Sequence, residues 1–445
     1  MKIKIGQEIP NEFGLLFDGW TCNREHYIAI FASWFDTETK VAKKRLLACG
    51  VQPLPDETLG ESAETFGLCA EDIGDYISDV LMQYGKTFAS IQFLCGDNAS
   101  VNRRLCDLIS AWLHDKGILR KVPLVGCALH KLNLAVKRLY EDPTTREYYL
   151  VQKVRHLMVD LSTLKNAFRL AAVTMANPEI ANETRWGATY KMLQKYLLLS
   201  PDLIKCKFST ATKLLIPSVA ETEEIEQFAE KLHLCYEYQK SLQAVDGSVT
   251  MSILRVAFDN LIEAIPEMRD HLATDSNIVH SRDFENGVVK LQRNSESRLL
   301  PREKEALQCF LIDPNAAEEA TVEQGAKEKP SLIEELQRKA AAVTAQSKTS
   351  ATKYNSTNHV CGHTVIVESL FSTAGHIMTP SRRHMDPSTF EMLLLLKVNK
   401  DMYNVLTLDE CIEELSKEEA SKKRPFENIH DEDRAMEEGS EVEDA

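Results

Sequence analysis

The sequence predicts an α/β fold in which helices pack on a mixed sheet and a long helical block interrupts the sheet-forming part. Three observations predict it. Residues 1–140 alternate short apolar, β-branched or aromatic runs with longer amphipathic stretches. Residues 141–354 lose the strand signal and keep helical spacing. Residues 355–405 are strongly patterned again, and 406–445 form an acidic tail. A chain of 445 residues is long for one compact domain, and 44% hydrophobic with 27% charged residues is an ordinary globular balance.

The first strand is "GLLFDGWT" (14–21), an apolar run that stops on Asp18. "HYIAIFASWF" (26–35) is the second, rich in β-branched and aromatic residues. Their link, "CNRE", is short enough to predict an antiparallel hairpin. "KRLLACGVQPL" (44–54) is a third strand, ended by Pro53 and Pro55. The stretch 61–86 reads as a helix with a stripe of Leu68, Ile73, Ile77, Val80 and Leu81, weakened by Gly67 and Gly74. "IQFLCGD" (91–97) is a fourth strand, which stops on Asp97. A helix over 99–117, closed by Gly117, follows. "VPLVGCALHKLNLAVKRLY" (122–140) is a short fifth strand running into a helix. The order β-β-β-α-β-α-β-α gives hairpins first and helical crossovers afterwards, hence a mixed sheet.

In the middle block, 144–172, 223–245 and 251–265 carry helical spacing, and the polar stretch 315–331 reads as a linker. Near the end, Val367, Leu370, Phe371 and Ala374 repeat at helical spacing, with Glu368 at the edge of that apolar face. A second helix starts at "DPS" (386–388), with a stripe of Phe390, Leu393, Leu394 and Val398.

Composition excludes several classes. No apolar run is long enough to cross a bilayer, and "MKIKIGQEIPNEF" lacks the core of a secretory signal, so an intracellular protein is expected. The 11 cysteines are odd in number and dispersed, which argues for reduced thiols over a disulfide framework. Net charge is −15, and residues 409–445 hold 15 acidic and 5 basic side chains, so most of the acidity is local to the tail. DNA binding would need a local patch or another domain.

Two strands that each stop on an aspartate pose a chemical question. If they are neighbours, Asp18 and Asp97 project near one sheet edge, and two close carboxylates repel unless a cation sits between them. Such hard oxygen ligands suit Mg²⁺ or Mn²⁺, and paired ions of this kind serve phosphodiester chemistry. "FDGW" and "GDN" are equally good turn formers, so spacing alone leaves both readings open. "CALH" supplies Cys127 and His130, half of a zinc-type spacing, for which Cys361 and His363 of "CGH" are distant candidate partners. "TRW" supplies Arg185 and Trp186: arginine binds phosphate and tryptophan stacks on unpaired bases, but both also occur in ordinary helix packing. Arg382, Arg383 and His384 read as surface charge, and "KKRP" (422–425) is too short for a nuclear-import cluster to be read from it.

"FDGWT", "GDNASVN", "GCALHKLNLAV", "TRW" and "VESLFSTAG…RRHMDPSTFEMLLLLKVN" follow one another in the order found in hAT-type DNA transposases, and the chain resembles that family over most of residues 10–405. The resemblance implies a ribonuclease H-like core split by a helical insertion. It implies that Asp18, Asp97 and Glu368 are a catalytic triad binding two Mg²⁺ or Mn²⁺ ions for DNA cleavage and transfer. It gives Cys127 and His130 a positioning or DNA-contact role, Trp186 a role on a flipped base with Arg185 beside it as a DNA-binding residue, and the segment with Phe390, Leu393, Leu394 and Val398 a role in dimerisation. DNA, a second copy of the chain and a nuclear location follow as expectations. The chain departs from the family in three ways. No BED-type zinc finger is visible, Ser369 stands where arginine often follows the glutamate, and the tryptophan-rich segment before the glutamate is missing or altered. A truncated or domesticated, non-catalytic interaction protein is therefore the alternative expectation.

Overall fold

The computed structural model describes residues 1–23, 25–52, 69–181, 186–243, 249–312, 332–345, 353–382, 384–404 and 412. Five strands form one mixed sheet. They are β1 (Phe13–Cys22), β2 (Glu25–Asp36), β3 (Val41–Gln52), β4 (Ile91–Gly96) and β5 (Leu124–Gly126), in the spatial order β3-β2-β1-β4-β5. The two hairpin links give antiparallel pairs, β1 with β2 and β2 with β3. β4 lies parallel to β1, and β5 parallel to β4, as connections through helices require.

The helices are α1 (Lys2–Glu8), α2 (Ala70–Gln83), α3 (Ser100–Asp115), α4 (Ala128–Glu141), α5 (Arg146–Leu161), α6 (Leu164–Ala171), α7 (Trp186–Leu203) and α8 (Thr210–Leu215). They continue with α9 (Val219–Leu242), α10 (Met251–Ala264), α11 (Arg269–Leu272), α12 (Arg282–Gln292), α13 (Pro301–Ala306), α14 (Leu332–Ala345), α15 (Val365–Ile377) and α16 (Pro387–Val398). The expected α/β class and the mixed sheet are both present. Residues 53–68 and 313–331, which hold the start of the expected 61–86 helix and the expected linker, lie outside the described residues.

Side-chain alternation sorts the sheet into two faces. Phe13, Leu15 and Phe17 of β1 join Ile28, Ile30 and Leu94 in a core closed by α1, α2 and α3 through Ile5, Ile77, Leu105 and Ile109. Leu16, Phe31, Phe93 and Cys95 face the other way, into a core that runs without a break through α4, the helical block, α15 and α16. Gly14 shares the face of Leu16 by alternation, and the Phe93 ring lies over it. A Cβ there would stand 2.1 Å from that ring, so the strand tolerates only glycine at this crossing.

Three elements differ from expectation. β1 does not stop on Asp18 but runs on to Cys22, with Asp18 paired to Ala29 of β2. The stretch 144–172 is two helices, α5 and α6. At their junction the Thr163 N–H (3.2 Å) and hydroxyl (2.7 Å) both donate to the Asp160 carbonyl, which a continuing helix would give to the Leu164 N–H, and the Ser162 hydroxyl adds a bond to the Met158 carbonyl (2.8 Å). α1 is an element that the sequence reading does not single out. It is held by burial of Ile5, with Ile9 just beyond it, and by Glu8, whose carboxylate receives Arg45 at 2.6 Å.

α16 covers the edge strand β3. Glu391 Oε1 accepts the Cys49 N–H (2.9 Å), and Asn399 Nδ2 donates to the Leu46 carbonyl (3.0 Å), satisfying edge groups that no further strand takes. Phe390 is fully buried, edge-on to Tyr27 at 5.2 Å, and Leu394 is fully buried too. Of the four residues expected to make a dimer face, these two are core. Leu393 is 39% exposed and Val398 half-buried. The solvent-facing apolar side chains of α16 are Met392, Leu393 and Leu396.

Candidate active site: a carboxylate cluster at the sheet edge

Leu16 of β1 pairs with Cys95 of β4 in parallel register. Two residues further along each chain stand Asp18 and Asp97, so strand geometry brings the two aspartates to the same end of the sheet. Alternation also gives Asp18 the face of Leu16, toward α4 and α15. Asp97 lies just beyond β4 in a tight turn. Its Oδ1 accepts the Ala99 N–H (3.0 Å) and the Asn102 amide (2.6 Å), which leaves Oδ2 outside the turn. The turn-forming reading of "GDN" is thus present in Asp97, which also lies close enough to Asp18 for the two charges to act on each other.

Glu368 comes from the first turn of α15, where the helix dipole favours a carboxylate. α15 packs on β1 and β2 through Val367, Leu370 and Ala374. One contact fixes its position: Phe371, one turn after Glu368, stacks on Trp20, two residues after Asp18, at 5.7 Å and 22°. The sequence shows both aromatic residues but not that they meet.

The electrostatics record the proximity. Burial pushes the Asp18 carboxyl up to about 6, the Gly19 N–H bond (2.8 Å) opposes the shift, and the charges of Asp97 and Glu368 add to it. Three mutually repelling carboxylates of this kind have the donor chemistry of a Mg²⁺ or Mn²⁺ site. As the side chains stand, no group of three or more His, Cys, Asp or Glu among the described residues is arranged to hold a metal ion.

Cys127 lies beside this cluster but is buried. Thr364 Oγ1 donates to its sulfur (3.3 Å), and its own N–H reaches the Gly96 carbonyl at the end of β4 (2.7 Å). Burial, with Glu368 nearby, pushes its thiol above the usual range. In this conformation Cys127 is 2% exposed, and its contacts tie the starts of α4 and α15 to the end of β4. His130, in the first turn of α4, is half-buried. "CGH" does reach "CALH", since the Ala128 N–H donates to the Gly362 carbonyl (2.8 Å). The Cys361 thiol turns instead to the His363 carbonyl (3.6 Å), and burial holds the His363 ring down to about 3.

Trp186 is 1% exposed, edge-on to Tyr236 at 6.4 Å inside the helical block. Base stacking is closed to it in this conformation, and packing accounts for it. Arg185 and Arg383 lie outside the described residues, while Arg382 and His384 are exposed. Sequence reasoning missed Asn102, which orients Asp97 from one turn into α3, and the buried pair of Lys131 and Glu285 (3.2 Å) that ties α4 to α12. The second asparagine of "GDNASVN" is the available sign of Asn102, whereas nothing local marks the charge pair. Among the described residues no helix is long and apolar enough to cross a membrane. The chain matches no known family model and no curated protein sequence.

Proposed function

We propose that the chain is a hAT-type, ribonuclease H-like transposase domain whose chemistry is metal-dependent DNA strand cleavage and transfer. The observation that carries this reading is the convergence of Asp18 within β1, Asp97 just past the end of the parallel strand β4, and Glu368 on a distant helix, with the Asp18 carboxyl pushed up to about 6 partly by the other two. The β3-β2-β1-β4-β5 sheet, with a helical block between β5 and α15, is the layout that the family resemblance implies.

Asp18, Asp97 and Glu368 would hold the ions. Bound divalent cations would activate the attacking water or hydroxyl and stabilise the leaving oxygen. The protein's own part is positioning. Asn102 fixes Asp97, the Trp20–Phe371 stack sets Glu368 against Asp18, and Cys127 with Thr364 anchors the two helix starts. His130 is the described member of the expected DNA-contact set that is not core. The expected result is nicking of a duplex in MnCl₂ or MgCl₂ that Asp97→Asn abolishes, with unchanged folding by circular dichroism. Folded wild-type protein that nicks nothing with either metal would overturn the reading.

A non-catalytic, self-associating protein is the second reading, and the exposed Met392, Leu393 and Leu396 face of α16 favours it. It predicts a dimer by light scattering that Leu393→Asp converts to monomer. A wild-type protein that is monomeric at high concentration removes its support.

A further inference from the structure

α6 sits in the helical block with its polar side inward. Asn166 and Leu170 are its buried residues, and the Asn166 amide donates to Asp160 Oδ2 (2.9 Å) and to Thr212 Oγ1 of α8 (3.3 Å). The large apolar side chains point the other way. Leu164 is 90% exposed and Phe168, one turn later on the same face, is 80% exposed. Met175, just beyond the helix, is exposed too. Apolar groups left this open and this close together mark an interaction surface. The charge around them runs against the rest of the molecule: residues 164–214 hold 8 basic and 3 acidic side chains in a chain of net charge −15. Lys165 on α6, Lys207 after α7 and Lys213 on α8 are exposed. These elements are neighbours, since Asn166 joins α6 to α8 and Thr174 bonds to Asp202 near the end of α7.

The complement to this surface is in the chain's own tail. Residues 408–419 hold 6 acidic side chains and 1 basic one, and Leu408, Ile412 and Leu415 recur at helical spacing. Ile412, the described member of that stripe, is 60% exposed. We propose that the α6 face is the docking site for the acidic segment 408–419 of a second copy of the chain. Leu408, Ile412 and Leu415 would cover Leu164 and Phe168, with the acids turned to Lys165, Lys207 and Lys213. A phosphate backbone would match the lysines but would not bury Leu164 and Met175. The partner is a second copy because of where the segment begins. Asn399 and Asp401 tie the end of α16 to the edge strand β3, whereas α6 packs on α5 and α8. The stretch from Asn404 to Leu408 spans about 14 Å at most. Tail on α6 is a contact between two different surfaces, so copies add head to tail. The inference draws on neither the carboxylate cluster nor the exposed face of α16.

Light scattering of the full chain tests this. In about 0.05 M NaCl the mass is expected to rise with protein concentration, and about 0.5 M NaCl should abolish the rise by screening the charges. Phe168→Asp and Leu415→Asp should each be monomeric in low salt. Phe168→Asp should melt with wild type, because the ring it replaces is exposed. Mixed one to one, the two variants should form a dimer and nothing larger, since one keeps the tail stripe and the other keeps the α6 face. Surfaces that pair with themselves cannot give that result. Leu393→Asp, which breaks the α16 face, should leave the association intact. An association that Leu393→Asp removes and Phe168→Asp keeps belongs to α16 and overturns the inference. So does a wild type that stays monomeric in low salt. Wild-type protein that binds phosphatidylserine vesicles or duplex DNA through Phe168 without self-association would make this a lipid or nucleic-acid surface, and the inference would fall.

Discussion

Asp18→Asn is expected to make the metal-free protein more stable at pH 8, by about 2 to 3 kcal/mol, and to flatten its stability between about pH 4 and pH 6. The folded-state carboxyl of Asp18 is raised from the ordinary 3.8 to about 6. A raised acid binds its proton more tightly in the folded chain than in the unfolded one. Its stabilising contribution is therefore complete below the unfolded value and is lost as pH climbs through about 6. Above that, the charged carboxylate is a burden that the neutral amide of the variant would not carry, and the amide oxygen can still accept the Gly19 N–H. Mn²⁺ or Mg²⁺ should relieve the same repulsion, so the ion should raise the melting temperature of wild type above pH 6 and do so much less in Asp18→Asn. Thermal melts across pH 4–8, with and without the ion, check this. A variant that melts lower than wild type at pH 8, or that keeps the wild-type slope, would show that Asp18 is an ordinary β1 residue without the repulsion argued here.

The parts of the fold that the sequence discloses are those with short-range patterns. β1, β2, β4 and α3 each carry their own periodicity, and the short β1–β2 link dictates antiparallel pairing. Parallel pairing of β1 with β4 is not written in either strand, yet it brings Asp18 and Asp97 together. That neighbourhood is legible only through the chemistry of two apolar runs that each meet an aspartate, although β1 continues past Asp18 to Cys22 and only β4 ends there. Trp186 shows the reverse failure. A tryptophan beside an arginine suggests stacking on a base, but only the tertiary packing of α7 against α9 shows that its ring is spent on Tyr236 and the block core. The α16 stripe fails for a related reason. Four apolar residues at helical spacing look like one face, whereas the edge of β3 takes Phe390 and Leu394 and leaves Leu393 outside. Glu391, a polar residue inside that stripe, is the one that meets the exposed β3 backbone, and its partner lies 342 positions away.

Removing one member of the Lys131–Glu285 pair is expected to cost about 3 to 5 kcal/mol, and removing both is expected to cost much less. The Lys131 ammonium lies 3.2 Å from both Glu285 oxygens, and the two side chains are only 5% and 13% exposed. Water therefore cannot compensate whichever charge is left. Glu285→Gln leaves a buried ammonium, and Lys131→Met leaves a buried carboxylate. Lys131→Met with Glu285→Leu leaves apolar groups of similar size that need no partner. Urea denaturation of the two single variants and the double variant gives the coupling energy directly. The effect should reach the carboxylate cluster, because α4 begins beside Cys127 and carries His130 in its first turn, while α12 belongs to the helical block. A single variant should therefore weaken the metal-induced rise in melting temperature before it unfolds the sheet. Two single variants that each cost under about 1 kcal/mol would mean that the pair behaves like a solvated surface bridge. The sheet and the helical block would then be joined by the shared core of Val125, Cys127 and Leu132 against α5 and α10, without help from this charge pair.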